Sequence, residues 1–277
     1  MAIHPTAVVS AEAQLGSGVE IGPWCVISGP VVLGDGVRLR ERVSIAGRSR
    51  IGAGTEVWPG ACLGFEPQDA KFDRAKGSPG IEVGPGSKLR ENVTIHAASS
   101  GKEVPTRVGA RCFMMAGAHV GHDVQVGDDV TLVNATVLGG HSIVGDRAII
   151  SGLCAVHQHT RVGRLSMMSG GSEVSTDVPP FCVAWGRNAL SGVNLVGMRR
   201  AGIPRDQITE VRRAFDDLLR KWAGRQETVA ELERRGASCP PLLEMARFIS
   251  ESKRSLCVYR RAMLPRDDGT IAEEAGI

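Results

Sequence analysis

Residues 108–150 read VGARCFMMAGAHVGHDVQVGDDVTLVNATVLGGHSIVGDRAII, and an apolar residue recurs at every sixth position. The run continues to residue 174, and its members are Val108, Met114, Val120, Val126, Leu132, Leu138, Val144, Ile150, Val156, Val162, Met168 and Val174. A fixed period indicates a repeat protein, because one short unit cannot bury its apolar face alone but a stack of units can. The spacing predicts a parallel β-helix in which each hexad forms a short strand and a turn.

The same period organises the start of the chain. Its aliphatic positions are Ile3, Val9, Leu15, Ile21, Ile27, Leu33, Leu39, Ile45, Ile51, Val57 and Leu63, and the period resumes at Val83, Leu89 and Ile95. Four residues further on stands a small or β-branched residue, such as Cys25 or Cys112, which is expected to fill a tight corner of the core. Glycine often follows the aliphatic residue, and we expect it to permit the backbone angles of the turn. These glycines are Gly16, Gly22, Gly34, Gly52 and Gly64.

Two breaks in the period divide this coil. Residues 64–82 and 97–107 do not fit the repeat and are predicted to be excursion loops. The pattern resembles that of the hexapeptide-repeat proteins, and the resemblance implies a left-handed parallel β-helix with three hexads in each triangular coil. We assign residues 1–190 to this coil.

The last part of the chain changes to a helical period. Apolar residues in residues 208–223 recur at helical spacing. Further helices are expected over residues 228–235 and 242–256, and the tail after Pro265 is expected to fray. Residues 191–277 are therefore predicted to form a small C-terminal α-helical domain.

Composition narrows the possible functions. The 277 residues have a net charge of only +3, which gives no reason to expect nucleic acid as a partner. The seven cysteines include no CxxC pair, which argues against a disulfide framework or a zinc ribbon. No apolar run approaches the roughly 18 residues that span a bilayer, and the N-terminus lacks the pattern of a signal peptide. We therefore expect a cytoplasmic protein without stable membrane insertion.

The histidines fall into one part of the repeat. Five of the seven lie between positions 119 and 159, and they are His119, His122, His141, His157 and His159. His141 and His159 are three hexads apart, and His122 lies within one residue of that register, so the coil is expected to gather imidazoles along one edge. In the sharpest pair, His122-Asp123, the carboxylate can fix the tautomer of the imidazole and raise its basicity. The alternative is that polar turn positions simply carry histidines.

Several motifs beyond the hexad resemble the UDP-N-acetylglucosamine O-acyltransferases, which catalyse the first step of lipid A biosynthesis. They are IHPTA at 3–7, QDAKF at 68–72, RENVTIH at 90–96, FMMAGAHVGHDVQVG at 113–127, GGH at 139–141, AVHQ at 155–158, DVPPF at 177–181 and GVNLVGMRRAG at 192–202. The resemblance implies a homotrimer that moves a 3-hydroxyacyl chain from acyl carrier protein to the 3-hydroxyl of the sugar nucleotide. It implies no cofactor and no metal. Nothing in the sequence resembles a nucleophilic serine elbow, so direct transfer is favoured over a covalent acyl-enzyme.

The resemblance also implies roles for individual residues. His122 would be the general base, Asp123 would orient it, and the backbone N–H of Gly140 would stabilise the oxyanion. Gly170 falls where the family gauges the length of the acyl chain. The implied substrate-binding residues are Gln68, Asp69, Lys71, His119, His141, His157, Gln158 and Arg199.

The chain departs from the family pattern at a few positions, which leaves its specificity open. Residues 97–99 are Ala-Ala-Ser where the family usually has RGT, Gly117 replaces an Asn, and Val196 stands where an acidic residue is expected near the nucleotide. A 3-amino sugar nucleotide is therefore an alternative acceptor. Four competing functions also stay open at this point: the N-acyltransferase of the same pathway, an acetyl-CoA-dependent acetyltransferase, a zinc γ-type carbonic anhydrase and a non-catalytic scaffold.

Overall fold

The fold is a three-sided coil of short parallel strands followed by helices. The computed structural model describes residues 2–99, 101 and 103–260. The first face contains Ala2–Ile3, Glu20–Ile21, Arg38–Leu39, Glu56–Val57, Lys88–Leu89, Phe113–Met114, Thr131–Leu132, Ile149–Ile150, Met167–Met168, Cys182–Trp185, Ala189–Val193 and Val258–Tyr259. The second face contains Val8–Val9, Val26–Ser28, Ser44–Ala46, Cys62–Phe65, Thr94–His96, His119–Val120, Val137–Leu138, Ala155–Val156 and Glu173–Val174. The third face contains Gln14–Leu15, Val32–Leu33, Ser49–Ile51, Ile81–Val83, Thr106–Val108, Gln125–Val126, Ile143–Val144 and Arg161–Val162.

The period-six side chains fill the interior of this coil. From Ile21 to Val174 each of them is buried, as predicted. The small residues four positions later, Cys25 and Cys112 among them, are also buried, and burial raises the pKa of the Cys112 thiol to about 11. The prediction is wrong at Ile3, whose side chain is 42% exposed. In the described residues its strand pairs on one side only, with Glu20–Ile21, so the first turn is not covered.

The glycines serve two different purposes, which corrects part of the sequence interpretation. Gly52 follows an aliphatic residue, but its backbone is not left-handed; a Cβ there would lie 2.4 Å from the Pro85 nitrogen in the next coil. It is required by the close approach of adjacent coils. The left-handed backbone comes two residues later, as at Gly54 with φ of 67°. Gly16, Gly22 and Gly34 resemble Gly52, whereas Gly64 alone of the predicted set has a positive φ.

Both breaks in the period leave the coil without disturbing its register. Where the repeat is unbroken, strand partners are three hexads apart, as in Ile3 and Ile21. Across the first break Leu63 pairs with Ile95, and across the second break Ile95 pairs with Val120, so one aliphatic position still stacks on the next. The longer excursion lies between Phe65 and Ile81, with a single 3₁₀ turn at Arg74–Lys76, and the shorter one lies between His96 and Thr106.

In the part of the chain that the structure describes, four helices follow the coil: α1 (Leu195–Arg200), α2 (Arg205–Ala214), α3 (Arg225–Gly236) and α4 (Pro240–Glu251). A π-helical turn, Phe215–Leu219, extends α2. Helix α1 and the antiparallel pair of strands before it were not expected from the sequence. The last helix ends before the predicted Leu256, because Ser252 is extended and its hydroxyl donates to Asp177 at 2.9 Å. The tail after Pro265 lies outside the described residues.

One apolar core runs from the coil into the helices. Arg164 of the coil pairs with Glu244 of α4 at 2.7 Å, and the Arg164 guanidinium also lies over the ring of Phe181.

Of the helices in the described residues, none has both the length and the apolar character needed to cross a membrane.

Candidate active site

The site lies on the edge between the second and third faces, where three successive turns stack. His122, Gly140 and Gln158 are spaced by three hexads and so lie one above another. The backbone N–H of His141 donates to the His122 carbonyl at 3.0 Å, and that of His159 donates to the Gly140 carbonyl at 3.0 Å. The backbone ladder of the coil therefore sets the spacing of these residues. The expectation that the repeat gathers imidazoles along one edge is met by His122, His141 and His159. The His122 ring meets the His141 ring edge to face, and the His141 ring stacks on the His159 ring.

His122 and Asp123 form a close pair. Nδ1 of His122 lies 2.7 Å from Oδ2 of Asp123, and the two side chains are only 16% and 8% exposed. A carboxylate can only accept a hydrogen bond, so Nδ1 carries the proton and Nε2 keeps its lone pair. Within residues 2–99, 101 and 103–260, Nε2 has no hydrogen-bond partner. The pair therefore presents a basic nitrogen of fixed tautomer.

Three further groups hold the Asp123 carboxylate and backbone in place. The Asp123 N–H donates to the Thr106 hydroxyl at 2.7 Å, and the Ser99 N–H donates to Oδ2 at 3.1 Å. Nε2 of His141 lies 3.7 Å from the same oxygen. Asp123 has a φ of 61°, a left-handed conformation that Asp adopts more readily than most residues. The local turn of the coil thus aims the carboxylate back at His122.

His122 lines a cavity of about 360 Å³. Six of the residues assigned from the sequence are brought together there: Gln68, His119, His122, Gly140, His157 and Gln158. The remaining lining residues are His96, Gly121, Val137, Leu138, Gly139 and Val156. The cavity combines imidazole and amide groups with the exposed side chain of Val137, whereas the side chains of Leu138 and Val156 are buried in the core.

Gly140 lies directly against the imidazole of His122. A Cβ at this position would lie 2.6 Å from Nε2 of His122, so only glycine leaves room for the imidazole. In the described part of the chain the Gly140 N–H finds no acceptor. A free backbone donor beside a basic nitrogen is the arrangement that stabilises an oxyanion formed at the attacked carbonyl.

Two histidines of the second face remain neutral in the cavity wall. Burial lowers the pKa of His119 to about 4, with smaller contributions from the nearby His96 and His122. Burial also lowers the pKa of His96. Nδ1 of His119 shares a hydrogen bond with the Thr94 hydroxyl at 2.7 Å, and the His96 and His119 rings meet edge to face. Neutral imidazoles can both donate and accept hydrogen bonds, which suits sugar hydroxyls.

The first excursion brings one of its acidic residues, Asp69, to the same edge. Asp69 accepts a hydrogen bond from the Lys71 N–H at 2.9 Å and one from the Ser99 hydroxyl at 2.6 Å. The bond from Ser99, and then that from Lys71, lowers the pKa of Asp69. Asp69 is thereby connected to Asp123 through a single residue, Ser99.

Two assigned residues lie elsewhere on the chain. Arg199 is in α1, where its Nε donates to the Leu195 carbonyl at 3.3 Å, and it lines a separate cavity of about 650 Å³ with Ile203 and Arg205. Gly170 lies on the edge between the first and second faces, next to the Gly152 carbonyl. Neither residue lines the His122 cavity of its own chain.

Sequence reasoning missed four residues of the site: Thr94, His96, Ser99 and Thr106. The strand pairing could have found two of them, because Thr94 pairs with His119 and His96 is two residues further along the same outer face. Ser99 lies within the second excursion and Thr106 ends it, and the path of this excursion has no period from which it could be predicted.

Comparison with known proteins identifies the family. The family described as Udp N-acetylglucosamine O-acyltransferase, Domain 2, matches residues 177–257. An acyl-[acyl-carrier-protein]--UDP-N-acetylglucosamine O-acyltransferase from Anaeromyxobacter sp. is 40% identical over 92% of this chain and 99% of its own length.

Solved structures give the same result. The UDP-N-acetylglucosamine acyltransferase from Bacteroides fragilis matches with a TM-score of 0.87 and 35% identity, over 92% of this chain and 99% of that one. The UDP-N-acetylglucosamine O-acyltransferase from Moraxella catarrhalis matches with a TM-score of 0.88 and 32% identity, over 93% and 100%. The left-handed β-helix with C-terminal helices that the resemblance implied is confirmed by these relatives. The chain belongs to the family of acyl-carrier-protein-dependent UDP-N-acetylglucosamine O-acyltransferases.

Proposed function

We propose that this protein transfers a 3-hydroxyacyl chain from acyl carrier protein to the 3-hydroxyl of UDP-N-acetylglucosamine, the first step of lipid A biosynthesis. Its family membership supports the reaction class and both substrates. The observation that carries the mechanism is the His122–Asp123 pair, which leaves a basic Nε2 beside a cavity. We assign the reaction to the cytoplasm, where acyl carrier protein and sugar nucleotides occur together.

The pair can perform the transfer in one displacement through a tetrahedral intermediate. Nε2 of His122 takes the proton from the sugar hydroxyl as that oxygen attacks the thioester carbonyl. Asp123 stabilises the imidazolium that forms, and the N–H of Gly140 donates to the oxyanion. Collapse of the intermediate breaks the carbon–sulfur bond, and the departing thiolate of the carrier protein receives the proton from His122. No residue becomes acylated, and the base is regenerated.

The remaining assigned residues would bind the acceptor. Gln68, Asp69 and Lys71 lie on the first excursion, and His141, His157 and Gln158 lie on the stacked turns beside the base. His119, neutral at physiological pH, can donate to or accept from the sugar. General base catalysis by a positioned histidine contributes about 10²- to 10⁴-fold to a rate.

We infer a homotrimer, in which neighbouring chains complete each site. Arg199 and Gly170 lie away from the His122 cavity of their own chain, so a second protomer would supply them to it. The outer side of the second face also carries exposed aliphatic residues, with Val8 at 62% and Val137 at 45% exposure. Sedimentation equilibrium at micromolar concentration should give the mass of three chains. A monomer that is fully active would contradict this assembly.

A transfer assay tests the proposed function. The acceptors are UDP-N-acetylglucosamine and its 3-amino analogue, each offered with a panel of 3-hydroxyacyl carrier proteins that differ in chain length. His122→Ala should lower kcat by about 10²-fold or more. His4→Ala is the matched control, since His4 is exposed in the first turn and contacts Thr6. Transfer only to the 3-amino analogue would show that this analogue, and not UDP-N-acetylglucosamine, is the acceptor. Wild-type rates in His122→Ala would overturn the mechanism.

A second measurement addresses the zinc alternative. Ligand atoms of His122, Asp123 and His141 lie within 4.8 Å of one another, close enough to meet on one ion. Metal analysis of the purified protein and transfer after dialysis against a chelator distinguish the two mechanisms. We expect full transfer after chelation. Loss of transfer that zinc restores would count against a metal-free base.

A further inference from the structure

The two excursions meet the His122–Asp123 pair at one buried residue. Ser99 is 6% exposed and follows Ala97 and Ala98, which are 4% and 0% exposed. Its hydroxyl donates to Oδ2 of Asp69 at 2.6 Å, and its backbone N–H donates to Oδ2 of Asp123 at 3.1 Å. One residue therefore contacts two carboxylates that are far apart in the chain.

The segment that holds Ser99 is itself fixed to the first excursion. The Ala97 N–H donates to the Phe65 carbonyl at 2.9 Å, and the Ala98 N–H donates to the Gly80 carbonyl at 3.1 Å. The Ser78 hydroxyl donates to the Ala98 carbonyl. Small side chains at positions 97 and 98 permit this burial. Ser99 is thus positioned by backbone bonds at both ends of the first excursion.

We propose that Ser99 is a positioning residue that couples the sugar-binding excursion to the catalytic pair. It acts through Asp69 with its hydroxyl and through Asp123 with its N–H, so correct seating of Asp69 and correct aim of Asp123 are linked. Nothing in Ser99 reacts. This inference rests on the proposed function, because it assumes that Asp69 contacts the acceptor.

The two ends of the coupling can be separated by mutation. Ser99→Ala removes the hydroxyl and keeps the N–H, so the bond to Asp69 is lost while that to Asp123 remains. Ser99→Thr keeps both donors. Hydrogen bonds to charged groups are among the stronger ones in proteins, so KM for the sugar nucleotide should rise about tenfold in Ser99→Ala. KM for the acyl carrier protein should stay within about twofold, and Ser99→Thr should restore the sugar KM.

Titration of the Asp69 carboxyl distinguishes positioning from a structural role. The Ser99 hydroxyl is the largest cause of the lowered pKa of Asp69. Without it that pKa rises, so the Asp69 carboxyl, followed by NMR in the protein without substrate, should titrate at higher pH in Ser99→Ala than in the wild type and return in Ser99→Thr. A merely structural loss would lower the melting temperature and leave the titration of Asp69 in place. Ser172→Ala is the matched control, since its buried hydroxyl has no partner among the described residues.

Direct binding keeps this test independent of turnover. Calorimetry with UDP-N-acetylglucosamine alone should show about tenfold weaker binding in Ser99→Ala than in the wild type and in Ser172→Ala. An active wild type, with KM, affinity and the titration of Asp69 all unchanged in Ser99→Ala, would overturn the coupling and leave the proposed function intact. A wild type that transfers nothing would overturn the proposed function. Equal affinities of the wild type and Ser99→Ala for UDP-N-acetylglucosamine would then overturn the coupling as well.

Discussion

Gly140 and the imidazole of His122 lie so close that a Cβ on Gly140 would sit 2.6 Å from Nε2. The contact joins two stacked turns, and it leaves the Gly140 N–H beside the base. The relationship explains why position 140 requires glycine even though its backbone is not left-handed. The constraint is space for the ring, so the smallest possible substitution should disturb the base.

Gly140→Ala should therefore inactivate the enzyme without unfolding it. The methyl group displaces the imidazole and weakens its bond to Asp123, and the contribution of the base, about 10²-fold or more, is lost. Steady-state kinetics measure kcat, and thermal unfolding checks the fold. Gly192→Ala is the control, because a Cβ there has nothing within 4 Å. Wild-type kcat in Gly140→Ala would show that the ring can move without cost.

Gly170 offers a test of acyl-chain selection. A Cβ there would meet only the Gly152 carbonyl, at 3.6 Å, and the backbone needs no left-handed angle, so a larger side chain fits the fold. In Gly170→Met the longest chain that the wild type accepts should lose about tenfold or more in kcat/KM, because each buried methylene contributes about 0.8 kcal/mol. Shorter chains should be little affected. Gly192→Met is the control. An unchanged preference for acyl-chain length in Gly170→Met would contradict the assignment of Gly170 to the acyl site.

His119 should make folding stability depend on pH. Its pKa in the folded protein is about 4, below the ordinary 6.5, so the unfolded chain binds more protons between these values. The free energy of unfolding is therefore expected to fall as pH decreases from 6.5 to 4. Urea unfolding of the wild type and His119→Gln across this window should show a shallower fall in the variant. His4→Gln is the control, and parallel curves for all three proteins would contradict the assignment.

The two kinds of glycine can be separated in the coil itself. Gly36 has a φ of 64°, and a Cβ there would have no neighbour within 4 Å, whereas Gly52 is pressed against Pro85. Alanine should cost about 1–2 kcal/mol at Gly36 through left-handed strain, and about 1–3 kcal/mol at Gly52 through crowding.

Asparagine distinguishes the two causes. It tolerates the left-handed region, so Gly36→Asn should be more stable than Gly36→Ala. It is larger than alanine, so Gly52→Asn should be less stable than Gly52→Ala. Urea unfolding of the four variants gives the two orders of stability. The same order at both positions would show that one cause acts at both.

The coil and its histidine edge could be predicted from sequence because both follow from a period. Once Val120, Leu138 and Val156 are placed inside, His122, Gly140 and Gln158 must stack outside. The expectation of an unusual backbone angle at the glycine after the aliphatic residue is wrong at Gly16, Gly22, Gly34 and Gly52, because their role depends on the distance to the next coil and not on their own turn. Ser99 could not be placed at all, since the docking of two aperiodic excursions determines its contacts.

The stacking of the site on the coil has a consequence for heat inactivation. Neighbouring strands in a sheet are about 4.8 Å apart, and the bond from the His141 N–H to the His122 carbonyl holds the turns of His122 and Gly140 at this interval. The geometry of the proposed base and oxyanion donor thus follows from the pitch of the coil. This geometry should survive up to the temperature at which the strands themselves separate. Any earlier loss of activity on heating should arise in the excursions, because their detachment would release both Asp69 and the N–H that Ser99 donates to Asp123.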